Sequence, residues 1–163
     1  MQEITSPSKS ALNYGAAFGI IMILEFVVMY VLDISPQDAP LIGVIINVLN
    51  YVILPFVLIY LAANNFKLNF NQGFISLSET LKIGLTVCAL AALMYGIFYL
   101  IFDLIVPEFK QELLSKIQEV TVKQTPSITS EQLKMSMKFV EMFMRPYVVI
   151  PFTILMYCVI GLI

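Results

Sequence analysis

Four stretches of this chain, residues 11–32, 41–63, 83–106 and 146–163, hold almost nothing but apolar side chains. Each falls within the roughly 17–25 helical residues that cross a hydrocarbon core about 30 Å thick. Charge inside them is limited to Glu25 in the first and Asp103 near the end of the third. The pattern predicts an all-α integral membrane protein with four transmembrane helices. The fourth is the shortest, and at ~1.5 Å per residue it only just spans.

The connections differ in kind. Pro36, Asp38 and Pro40 mark a short acidic turn between the first two helices. Residues 64–78 are rich in Asn with Phe66, Phe70 and Phe74 interleaved, a mixture suited to an interfacial loop at headgroup depth. Residues 107–145 change period. Phe109, Leu113, Ile117 and Val120 draw one apolar helical stripe, supported by Glu112 with Lys116 and Glu119 with Lys123 at i,i+4. Pro126 breaks that helix. A second starts at Thr129, where Gln132 completes the capping-box spacing and Ile128 staples to Leu133. Its apolar face carries Leu133, Met137, Val140 and Met144, opposite Lys134, Lys138, Glu141 and Arg145. The segment therefore predicts an amphipathic helical hairpin lying on or just above the membrane, with Phe109, Leu113 and Ile117 facing Leu133, Met137 and Val140. It is either a solvated helical pair or a surface on which a partner docks.

The chain also resembles itself. Leu12-Asn13-Tyr14-Gly15 is similar to Leu81-Lys82-Ile83-Gly84, 69 residues on, and Tyr51-Val52-Ile53-Leu54-Pro55-Phe56 to Tyr147-Val148-Val149-Ile150-Pro151-Phe152, 96 residues on. Duplication would give two helix pairs of the same topology about a pseudo-twofold axis along the membrane normal. Gly15 and Gly19 follow Ala11 at four-residue intervals, as Cys88, Ala92 and Gly96 follow Gly84. Small residues let helices approach closely in lipid, so the first and third helices are expected to touch along these stripes. Pro55 and Pro151 each remove a helical hydrogen bond and mark expected kinks.

Composition agrees with this picture and narrows the chemistry. The 163 residues are 60% hydrophobic and 12% charged, whereas soluble domains carry about 25% charge. Eleven of the twenty charged residues lie between Glu108 and Arg145. There is no histidine, which excludes Ser-His and Cys-His triads and the commonest zinc ligand. Cys88 and Cys158 fall inside apolar runs and read as packing residues, so no cofactor or metal is expected. A net charge of -2 leaves no basic footprint for nucleic acid. The first apolar run is too long for a signal-peptide core, and no small-residue cleavage site follows it.

Several segments together resemble a bacterial membrane family, the domain of unknown function 4199. They are Ser78-Glu79-Thr80-Leu81-Lys82-Ile83-Gly84, Val106-Pro107-Glu108-Phe109, Ser130-Glu131-Gln132 and Gly161-Leu162-Ile163. The resemblance implies a four-helix inner-membrane protein with a long loop between the third and fourth helices, and a polar tail after the last helix in most members. It implies no activity.

Glu25 is the residue whose placement most needs a reason. It sits on the order of 5 Å from the bilayer centre, where a charge costs roughly 2.5–3.5 kcal/mol, so it must face other helices and either pair or be protonated. Asn47 and Asn50 share a face with Gly43 and are its expected hydrogen-bond partners. Such a group is either interhelical glue or a carboxylate coupled to protons or cations. Ser78 and Lys82 have the spacing of a Ser-Lys dyad, but Lys82 more simply snorkels to the headgroups, and no enzyme is expected. Lys9 before the first helix, with Asp33 and Asp38 after it, favours a cytoplasmic N-terminus, although the 107–145 segment holds six of the nine Lys and Arg. Two function classes remain. One is a non-enzymatic scaffold or accessory subunit that binds a membrane-protein partner or a second copy through the hairpin. The other is a small oligomeric transporter or channel using Glu25, Asn47 and Asn50.

Overall fold

The computed structural model describes residues 6–34 and 39–163, and their regular structure is entirely helical. α1 spans Pro7–Val31: the Ser6 side chain accepts the Lys9 N–H at 3.2 Å, and Pro7 occupies the first turn, where no backbone donor is needed. It ends where Asp33 turns left-handed (φ 49°), a conformation Asp tolerates better than most residues. α2, Pro40–Val48, runs through a π-helical turn, Leu49–Ile53, into α3, Leu54–Asn69. α4, Leu77–Ile105, begins with a capping box between Ser76 and Glu79. Then come α5, Pro107–Gln124, α6, Ser130–Phe143, and α7, Pro146–Leu162. α6 starts with the Thr129–Gln132 capping box that the spacing predicts.

α1, the α2–α3 rod and α4 are long and apolar enough to cross a membrane. α7 is apolar but only 17 residues long, and it meets α6 at a bend of 69°. In the three longer helices only 22%, 22% and 28% of the most apolar window is buried within the fold. Apolar surface on that scale needs lipid to cover it.

The observed helices outrun the predicted ones in two places. Asn64 to Asn69 continue α3 rather than forming a loop, because Phe66 enters the core and Asn69 Nδ2 bonds Asn65 Oδ1 across one turn at 2.7 Å. α4 starts at Leu77, leaving residues 70–76 as a tight connection held by the Gly73 N–H donating to the Lys67 carbonyl at 2.7 Å. Of the expected acidic turn, Pro36 and Asp38 lie outside the described residues, and Pro40 begins α2.

α4 is central. α1 packs along one side of it and α7 along another, while α3 touches both α1 and α4. The core consists of Ala11, Phe18 and Met22 of α1, Ala62 and Phe66 of α3, Ile83 to Ala92 positions of α4, and Tyr157 of α7. α1 and α4 touch as the sequence leads one to expect, but the two small-residue stripes do not share that interface throughout, which corrects the expectation for Gly84 and Gly96. Gly15 and Gly19 of α1 do face α4, against Val87, Leu90 and Met94. Gly84 and Gly96, however, face Gly161 and Ile150 of α7. At Gly84 the backbones are so close that any Cβ would strike the Gly161 carbonyl oxygen. α7 is short, and close backbone approach supplies the van der Waals contact that association in lipid depends on.

α5 and α6 contact one another, and aromatic rings dock α5 onto the membrane helices. Phe109 meets Phe26 (5.7 Å between centroids), Tyr30 (5.6 Å) and Phe102 (5.3 Å), all edge to face. Lys116 adds an ion pair to Asp33 at 3.0 Å, and Glu119 pairs with Lys123 as its spacing predicts.

Candidate functional site

The site begins with a proline. Pro55 is fully buried and lacks an N–H, so an α-helix running through it would leave the Tyr51 carbonyl unmatched. The chain responds with the π-turn, in which the Leu54 N–H reaches back five residues to the Leu49 carbonyl. That choice orphans the carbonyl of Asn50. Its α-helical donor, Leu54, is already engaged, and its π-helical donor would be Pro55. The Tyr157 hydroxyl, arriving from α7, donates to that carbonyl at 3.4 Å. Tyr157 is itself buried, stacked on Tyr51 and edge-on to Phe18.

The extra residue in the π-turn also sets where the Asn50 side chain goes. Its amide Nδ2 donates to Glu25 Oε2 at 2.6 Å. Asn50 is 9% exposed, and its other amide atom, Oδ1, is buried without a hydrogen-bond partner. The structure thus brings Glu25 and Asn50 together. Asn47 lines the same space but makes no hydrogen bond to Glu25 among the described residues, because it sits a turn earlier on α2. α2 has no extended contact with another helix there beyond the π-turn it enters.

The divergence of α2 opens a cavity of about 710 Å³. The Glu25–Asn50 pair lines it, as do the polar residues Asn47, Thr153 and Tyr157. Met22, Phe26, Ile46 and Ile150 give it apolar walls, and Phe109, Leu113, Val140 and Phe143 line it from α5 and α6. Gly96 and Gly43 also line it, so two of the small residues border empty space as well as packed helices. Cys88 and Ala92 belong to the core, and Pro151, in contrast to Pro55, is exposed within a regular α7. On the same side the Tyr99 hydroxyl donates to the Met144 carbonyl at 3.0 Å and so secures the bend between α6 and α7.

The sequence profile of one family matches residues 13–163. The chain belongs to DUF4199, a family of proteins of unknown function. Comparison with curated proteins and with solved structures finds no match. What sequence reading missed in this DUF4199 chain is Tyr157, along with Thr153 and the rings around Phe26. The signal for Tyr157 was present: it is the one hydroxyl-bearing aromatic deep in the last apolar run, two turns after a proline. An amphipathic ring there needs a partner for its O–H.

Proposed function

We propose that this chain is a subunit of a small membrane carrier that holds a solute in the interhelical cavity, with Glu25 as the group that takes up and releases a proton or cation. The observation that supports it is the Glu25–Asn50 pair in the wall of a space of about 710 Å³. Ligand sites have this character, mostly apolar walls with a few convergent polar groups in about 300–1,000 Å³. The alternative of a scaffold docking through residues 107–145 draws less support. The apolar face of α5 turns inward, onto Phe26, Tyr30 and the cavity, rather than outward to a partner. Three or four helices make a thin wall, so the working carrier is an oligomer.

Wild type and Glu25→Gln are to be compared in proteoliposomes under an imposed pH gradient. The amide keeps the shape and the bond from Asn50 but carries no exchangeable charge. The expected outcome is an unchanged thermal midpoint with loss of the wild-type proton flux. Equal flux from the two proteins rejects the coupling role.

A further inference from the structure

We propose that the ligand of this cavity is a primary ammonium joined to an apolar, aromatic-sized body, an inference that rests on the solute-site reading above and names its chemistry. Two acceptors adjoin in the cavity wall, the Glu25 carboxylate and the Asn50 amide oxygen. Asn50 points its Nδ2 at Glu25, which fixes the amide so that Oδ1 faces away from the carboxylate. Oδ1 is buried and unpartnered, and a buried acceptor of this kind calls for an N–H or O–H. The carboxylate beside it selects for positive charge. A group bearing both a charge and N–H donors bridges the two, and a primary ammonium has three donors.

The walls suit the rest of such a ligand. Phe26, Tyr51 and Tyr95 border the cavity, and aromatic rings are the side chains that attract a cation beyond simple contact. The charged residues lining it are Glu25, Asp33, Glu112 and Lys116, three carboxylates against one amine. An acidic lining raises the local concentration of cations. The ammonium can be carried by a free amine or by a phosphatidylethanolamine headgroup, and the recognition chemistry is the same.

The test uses the purified full chain in phosphatidylcholine nanodiscs, with equilibrium binding of phenylbutylammonium, its N-trimethyl analogue, phenylbutanol and phenylpentanoate. Phenylbutylammonium is expected to bind saturably, about tenfold or more tighter than the alcohol, as charged hydrogen bonds require. The trimethyl analogue should lose much of that gain because it has no N–H for Asn50. Glu25→Gln should bring the ammonium down to the alcohol's affinity and leave the alcohol unchanged. The wild-type comparison needs no variant, so it decides even if Glu25→Gln folds poorly. Alcohol or carboxylate binding as tightly as the ammonium overturns the ligand class and leaves the cavity reading intact. Saturable binding by none of the probes overturns both. Nanodiscs containing phosphatidylethanolamine separate the two sources: competition with the probe assigns the ammonium to the lipid, and undiminished binding assigns it to a free amine.

Discussion

The Asn50 side chain bonds Glu25 of α1, and its backbone carbonyl receives the Tyr157 hydroxyl of α7, so three helices meet at one asparagine. Hydrogen bonds of this kind in membranes contribute about 0.6–2 kcal/mol each, because the alternative partners in lipid are few but not absent. Glu25→Leu removes the acceptor and leaves both ends of the Asn50 amide unmatched. It is expected to cost about 0.6–2 kcal/mol in detergent denaturation, whereas Glu25→Gln stays near wild type. A Leu variant as stable as the Gln variant would show that the pair contributes nothing to folding, and would strengthen the case that Glu25 serves function alone.

Among the helices, the tightest junction is α4 against α7 at Gly84 and Gly161, where backbone meets backbone. No flexible side chain is available to move aside there. Gly84→Val must therefore push the helices apart, at an expected cost of about 1–3 kcal/mol, the usual range for overpacking. Thermal unfolding in micelles measures it, and Leu85→Val, at the exposed neighbouring position, is the control that should leave the midpoint unchanged. The π-turn belongs to this scale too. It is the local cost of a buried proline, and it turns Asn50 toward α1.

For the whole molecule, the question is what holds α5 and α6 over the cavity. The Lys116–Asp33 ion pair is visible, but the Asp33 side chain is 90% exposed, and exposed pairs contribute about 0–1 kcal/mol. The aromatic cluster around Phe109 has three edge-to-face partners, each worth about 0.5–1.5 kcal/mol beyond simple burial. Phe109→Ala is accordingly expected to speed tryptic cleavage at Lys110 and Lys116 several-fold, and Asp33→Asn to change it little. The reverse order would make the ion pair the clasp.

By itself the sequence determined that the chain lives in lipid, where its apolar runs fall, and that residues 107–145 form two helices, the second with a capping box, rather than a fifth span. These follow from hydropathy, period and capping, which are local properties carried by neighbouring residues. It also singled out Glu25, with Asn47 and Asn50 as its equal candidate partners, because a carboxylate in an apolar helix has few tolerable surroundings. Only the tertiary structure decided the rest: that Asn50 rather than Asn47 takes the carboxylate, that Gly84 and Gly96 of α4 meet α7, and that Tyr157 closes the gap left by Pro55. Each depends on the rotation of one helix relative to another. A single π-turn shifts that rotation by about 100°, and no periodicity read along the chain registers which neighbour lies across the gap.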